Sequence, residues 1–168
     1  SDSAAARETG ALVSKSPEEV YLSSGEFEVD DILSFYETFI QEAISEGYDG
    51  VCIAADVTWA QEYDIDLDRF AEYEHRVNEL FREYPAKGLC LYDRNRFPSD
   101  YLSEMLCAHP KLTDGASDIQ NVYYDEHPDP AGIEATGLSL DRQLQSLSRH
   151  RETRERLSER EQQLASLN

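Results

Sequence analysis

Val51-Cys52-Ile53-Ala54-Ala55-Asp56 and Gly88-Leu89-Cys90-Leu91-Tyr92-Asp93-Arg94 decide the fold. Each is an apolar run of strand length that breaks off into polar or aromatic residues, with Trp59 just beyond the first. Continuous apolar runs of this kind mark the central strands of a parallel sheet buried on both faces. A third apolar stretch, Met105-Leu106-Cys107-Ala108-His109-Pro110, closes a helix. Strands that run out into charged and aromatic residues are how α/β proteins build a ligand crevice.

Working outward, the pattern between the runs is helical. From Asp30 to Glu46, Ile32, Leu33, Tyr36, Phe39, Ile40, Ala43 and Ile44 recur at spacings of three and four, with Asp30 as N-cap and Gly47 as stop. From Asp66 to Tyr84 the inward positions are Leu67, Phe70, Tyr73, Val77, Leu80, Phe81 and Tyr84, and Pro85 ends the helix. Ser99 caps a shorter helix carrying Tyr101, Leu102, Met105 and Leu106. Helix, strand, helix, strand, helix in that order predicts right-handed crossovers and a mostly parallel sheet flanked by helices, an α/β fold. Ile119 to Tyr124 is expected to add a strand to that sheet. Ala11-Leu12-Val13 and Val20-Tyr21-Leu22 are short apolar runs that fit either a strand or a helix edge. The organisation expected is a disordered leader at 1–9, an α/β domain at 10–125, a Pro- and Gly-containing linker at 126–137 and a helix at 138–168.

The chain has 168 residues, with 35 acidic against 15 basic side chains and a net charge of −20. The carboxylates are dispersed rather than blocked, and arginine outnumbers lysine, whose positions are Lys15, Lys87 and Lys111. Such a surface fits adaptation to high salt, where screening mutes self-repulsion. It argues against nucleic acid and anionic lipid as partners. Cys52, Cys90 and Cys107 all lie in apolar runs without a C-x-x-C pair, and are expected as buried small hydrophobes in a reducing, cytoplasmic setting. Ser1 to Gly10 lacks the apolar core of a secretion signal, and no stretch approaches the ~18 apolar residues of a membrane span.

Residues 138–168 differ from the rest. They lack Pro and aromatics, and their charges are mixed. Leu140, Leu144 and Leu147 form one apolar stripe, and Leu157, Leu164 and Leu167 another. Arg151 and Arg154 interrupt the seam between them. The pattern predicts a dimeric coiled coil with a stutter, dimerising through Leu140, Leu144, Leu147, Leu157 and Leu164. The alternative is a long helix folded back on the domain.

No phosphate-binding loop, metalloprotease motif or cysteine pair occurs, so no cofactor and no metal are expected. The candidate ligand-binding residues are Asp56, Trp59, Glu74, Tyr92, Asp93, Arg94 and His109. Trp59 either faces a pocket mouth or covers the sheet edge. Arg94 either pairs locally with Asp93 or clamps an anionic group. His109 either closes its helix against the negative dipole end or senses a ligand or proton. In Tyr73-Glu74-His75-Arg76 the four side chains point in different directions. The run is a solvated face with Tyr73 inward, unless Glu74 also turns inward as a polar contact.

These residues, in order, resemble the MEDS domain, the sensory domain of methanogens and methylotrophs. The matching pieces are Glu19-Val20-Tyr21-Leu22-Ser23-Ser24-Gly25-Glu26-Phe27, Ala43-Ile44-Ser45-Glu46-Gly47-Tyr48-Asp49-Gly50, Ala55-Asp56-Val57-Thr58-Trp59, Tyr73-Glu74-His75-Arg76-Val77-Asn78, Leu89-Cys90-Leu91-Tyr92-Asp93-Arg94 and Cys107-Ala108-His109-Pro110. The resemblance covers about residues 10–125. It implies a sensory input module of two-component or transcriptional systems that takes small organic molecules, on a fold related to the RecA and KaiC ATPases without their phosphate loop. The start of the chain is similar to the family's middle, which implies a RecA-like fragment shortened at its N-terminus. Arg160 to Asn168 is similar to the segment preceding the phosphoacceptor helix of haloarchaeal sensor kinases. The expectation is therefore a non-enzymatic cytoplasmic module, homodimeric through its C-terminal helix and coupled to a kinase or transducer domain. A ligand-free docking scaffold is the alternative, and a KaiC-like nucleotide-binding enzyme the remote one.

Overall fold

The computed structural model describes residues 2–113, 118–124 and 140–165. In chain order the elements are α1 (Asp2–Glu8), α2 (Pro17–Val20), α3 (Val29–Ser45), β1 (Val51–Asp56), α4 (Trp59–Glu62), α5 (Leu67–Glu83), β2 (Ala86–Leu91), α6 (Ser99–Ala108), β3 (Lys111–Thr113), β4 (Asp118–Gln120) and α7 (Leu140–Ala165). The fold is mixed α/β, with a small parallel sheet and a long C-terminal helix.

The two strands and the helices beside them fall where the apolar patterns put them. Asp66 caps α5, its carboxylate accepting from the backbone amides of Asp68 at 2.9 Å and Arg69 at 3.3 Å. Phe70, Ala71, Tyr73, Glu74 and Val77 form its buried face. Gly47, at φ 97°, ends α3. β1 pairs with β2 in parallel, from Val51 opposite Ala86 to Asp56 opposite Leu91. Just before β1, a side chain at Gly50 would come within 2.2 Å of the Pro85 carbonyl, so only glycine lets the two strand entrances approach.

Several expectations are corrected. Among the described residues the sheet has two strands, not three or more. The stretch around Ile119 instead forms β4, which pairs antiparallel with β3 in a separate ribbon. Nor is the β1–β2 sheet covered on both faces. Val51, Ile53 and Ala55 are half-buried, while Cys52 and Ala54 are exposed together with Leu89 and Leu91 opposite. A run of small and apolar residues cannot say which of its faces a helix will cover. Cys52 is therefore exposed, Cys90 half-buried and Cys107 buried. The expected leader forms helix α1. The Val20 run belongs to α2, with its capping box of Ser16 and Glu19, and Leu12 and Val13 lie exposed in a connection. Glu28, not Asp30, is the N-cap of α3, and Ser99 is the first residue of α6 rather than its cap. The linker at 126–137 and Leu167 lie outside the described residues.

An aromatic core joins the layers. Tyr21, Phe27, Tyr36, Trp59, Phe70, Tyr73, Phe97 and Tyr101 are all buried, with Leu140 of α7 among the same cluster. α3 packs on α5, α5 on α6, and α6 on α7. The first leucine stripe of α7 is thus occupied within its own chain. Leu140 is 6% exposed, Leu147 is fully buried, and Leu144 packs against the core. This corrects the assignment of those three leucines to a coiled-coil seam. Leu157 and Leu164 are 56% and 58% exposed and remain open.

Candidate functional site

β1 has β2 on one side. Its other side borders a cleft of about 770 Å³, to which every residue of the strand contributes. Two elements build the opposite walls. The helical spacing of α3 puts Phe35, Tyr36 and Phe39 on one wall, and the segment from Gly10 into α2 supplies the other. Trp59 lies in the wall where β1 turns into α4. It is buried and stacks on Tyr21, with ring centroids 4.3 Å apart and planes 22° from parallel. The Tyr21 and Tyr36 hydroxyls meet at 2.9 Å. Burial raises the pKa of both phenols, and for Tyr21 the neighbouring Tyr36 adds to the rise. The lining combines these aromatic rings with the charged side chains of Lys15, Glu42, Glu46, Asp56 and Glu62.

Asp56 lines the cleft, but its carboxylate is occupied. One oxygen accepts from the Thr58 backbone amide at 3.0 Å and the Thr58 hydroxyl at 2.8 Å. Those bonds hold its pKa below the ordinary carboxylate value and turn the chain into α4. Trp59 belongs both to the aromatic core and to the cleft wall.

Glu74, Tyr92 and His109 come together from α5, the end of β2 and the end of α6. Glu74 is 2% exposed. The Tyr92 hydroxyl donates to Glu74 Oε1 at 2.8 Å, His109 Nε2 lies 3.4 Å from Oε2, and Cys90 Sγ lies 3.8 Å from the same oxygen. Burial pushes the Glu74 carboxyl up, while His109 and the bonds from Tyr92 and Cys90 oppose that shift. The Cys90 thiol is pushed up by burial and by the Glu74 charge beside it. Glu74 therefore takes the inward position, while Arg76 of the same run points out to Asp30 at 2.7 Å. None of Glu74, Cys90, Tyr92 and His109 lines the cleft. Tyr73, the residue before Glu74, turns its ring edge-on to Tyr21 of the cleft wall, with centroids 5.9 Å apart.

Asp93 and Arg94 join neither group. Asp93 accepts from the Asn95 backbone amide at 2.9 Å in a surface turn, and Arg94 pairs with Asp141 of α7. The sequence-predicted set thus divides into cleft residues (Asp56, Trp59), a buried cluster (Glu74, Tyr92, His109) and a surface turn (Asp93, Arg94). Tyr21, Phe35, Tyr36 and Phe39 of the cleft, and Cys90 of the cluster, were not among the predicted site residues. The aromatic spacing on α3 carried a signal for the first group, but such spacing reads equally as core.

Among the described residues, no helix is long and apolar enough to cross a membrane. The family model for MEDS, the methanogen/methylotroph, DcmR sensory domain, matches residues 1–110. No curated protein and no solved structure matches the chain.

Proposed function

The chain belongs to the MEDS family of sensory domains, and from that membership we propose that it is the cytoplasmic input module of a haloarchaeal sensor kinase or transducer. It would take a small organic molecule in the cleft beside β1. The observation that carries this reading is the cleft itself, about 770 Å³ with Trp59, Tyr21 and Tyr36 in its walls. The module has no chemistry of its own and works by shifting populations between two packings of α7. A coupling of roughly 1–3 kcal/mol suffices for regulation. The N-terminal half of α7 is fixed to the domain by Leu140 and Leu147, by the Ser103 hydroxyl donating to Gln143 at 2.5 Å, and by Arg94–Asp141. The exposed Leu157 and Leu164, seven residues apart, present the apolar side for a second copy.

Trp59 is the chain's one tryptophan, so its fluorescence reports the cleft wall directly. We expect a saturable change with at least one member of a panel of small apolar alcohols, amines, thiols and halogenated hydrocarbons, measured in concentrated KCl. Ala54 is exposed on β1 and lines the cleft. Ala54→Phe should abolish the response while leaving the unfolding midpoint unchanged. Silence across the panel, or an unaltered response in the filled variant, refutes the proposal. The alternative of a ligand-free docking scaffold is favoured by the bare sheet face of Cys52, Ala54, Leu89 and Leu91, and predicts that silence.

A further inference from the structure

We propose that Glu74, Cys90 and His109 form a binding site for one divalent transition-metal ion of the zinc class. The inference goes beyond the cleft reading and does not depend on it. One ligand atom from each of the three residues lies within 4.8 Å of the other two. Two of the separations, 3.4 Å from Oε2 to Nε2 and 3.8 Å from Oε2 to Sγ, are measured from the same carboxylate oxygen. With metal bonds of about 2.0–2.3 Å, the edges of a tetrahedral centre are about 3.3–3.6 Å. A small side-chain contraction therefore brings all three ligands onto one ion.

The surroundings orient each ligand for that role. His109 Nδ1 lies 2.7 Å from the Met105 carbonyl, which can only accept, so Nδ1 carries the hydrogen and the Nε2 lone pair faces the cluster. Among the described residues Nε2 is buried and has no hydrogen-bond partner. Tyr92 donates to Oε1 and leaves Oε2 facing inward. The Asn78 amide donates to the Ala108 carbonyl at 2.6 Å, and the Asn121 amide donates to the His109 carbonyl at 2.7 Å, fixing the backbone on both sides of His109. A thiolate and a carboxylate together cancel a divalent charge, which suits a group as buried as Glu74. Imidazole, thiolate and carboxylate together select zinc over magnesium or calcium. Binding forms metal–sulfur, metal–nitrogen and metal–oxygen bonds and releases the thiol proton to solvent.

The test is titration of the chelator-treated full chain with Co²⁺, at about 1 M KCl so that the acidic surface does not collect the ion. We expect one equivalent to bind, with tetrahedral visible bands and a sulfur-to-cobalt charge-transfer band, and Zn²⁺ to displace it. Cys90→Ser should remove the charge-transfer band. His109→Gln and Glu74→Gln should weaken binding at least about tenfold. Cys52→Ser, on the exposed strand face, should change nothing. Far-ultraviolet circular dichroism confirms that each variant is folded, and Cys90→Ser is a near-isosteric change should Glu74→Gln fail to fold. A proton shared between Oε2 and Nε2 is the competing occupant. Its signature is no stoichiometric Co²⁺ spectrum, which overturns the proposal, as does a charge-transfer band that survives Cys90→Ser. Neither result bears on the Trp59 response, so the two readings fail separately.

Discussion

Leu147→Ala separates a helix packed on its own domain from a helix that waits for a partner. Leu147 is fully buried in the single chain, and α7 meets α6 and β4. Truncation removes three carbon atoms, about 2–2.5 kcal/mol of transfer free energy, and leaves a cavity that raises the loss to about 3 kcal/mol. For a domain of this size that corresponds to a fall in melting temperature of roughly 6–12 °C. Leu157 is the internal control. It is 56% exposed, so Leu157→Ala should change the unfolding of dilute protein by no more than about 0.5 kcal/mol. Its effect should appear instead in self-association, as a weaker dimer in sedimentation equilibrium. The unfolding assay is urea titration in KCl, followed by Trp59 fluorescence and helical circular dichroism. If Leu147→Ala left the midpoint in place, or if both variants cost the same amount in a concentration-dependent way, α7 would be held by another chain along its whole length. The packing of its first half on the core would then be wrong.

Three further perturbations have defined outcomes. With a net charge of −20, raising KCl from about 0.1 M to about 1 M shortens the screening length from about 10 Å to about 3 Å, so the urea midpoint should rise, and a flat or falling midpoint would contradict salt adaptation of the surface. Burial raises the Tyr21 and Tyr73 pKa values, so the folded state keeps phenol protons that the unfolded chain releases near pH 10; this contribution is fully present below about pH 10 and is lost as pH rises above it. A phenolate absorbance titration should therefore show some of the ten tyrosines ionising only with unfolding, and one smooth titration of all ten in the folded state would refute it. Asn121 is 4% exposed and its amide donates to the Leu106 and His109 carbonyls, so Asn121→Ala should cost about 2 kcal/mol in urea unfolding, whereas a cost below 0.5 kcal/mol would mean those carbonyls find water, all as orders of magnitude.

The elements that periodicity could reach are α3, α5, α6, α7 and the two parallel strands. Each has a long apolar repeat, or a run bounded by Gly47, Pro85 or Asp66, and local physics suffices to place it. The sheet's one-sidedness was out of reach because Cys52, Ala54 and Leu89 are small or apolar and fit a buried or a bare face equally well. The leucines of α7 show the same degeneracy. Spacings of four and three between Leu140, Leu144 and Leu147 make one apolar stripe, whether another chain or the domain's own α6 covers it. The charged residues beyond β2 misled for a different reason. Asp93 and Arg94 do follow a strand end, but the Asp93 side chain immediately turns the backbone, and Arg94 leaves toward α7. Glu74 had a usable signal. It stands four residues after Phe70 and three before Val77, on the buried stripe of α5, where an unpaired carboxylate is costly and so implies partners.

Those partners link the cleft to α7 through the buried cluster. Tyr36 borders the cleft, its hydroxyl meets that of Tyr21 at 2.9 Å, and Tyr21 packs edge-on against Tyr73, which is followed on α5 by Glu74. Glu74 faces His109, the residue that ends α6. One turn and a half earlier on that helix, Ser103 holds Gln143 of α7. Asn121, just past β4, grips the carbonyls at the end of α6, and β4 also meets α7. The contacts of Tyr92 and His109 with Glu74, of Ser103 with Gln143 and of Asn121 with the end of α6 are buried or half-buried polar contacts whose loss would leave an unsatisfied group. Such groups have few intermediate arrangements, since a donor is either matched or orphaned at a cost of about 1–3 kcal/mol. A displacement of Tyr36 by a molecule in the cleft would therefore not fade gradually with distance. It would be absorbed at Glu74 by regrouping, or it would be passed to α6 and change how the first half of α7 is held. Packing alone along the Phe70 and Val77 stripe would deform more continuously. The carboxylate in the middle of that apolar face would instead have to exchange one set of partners for another.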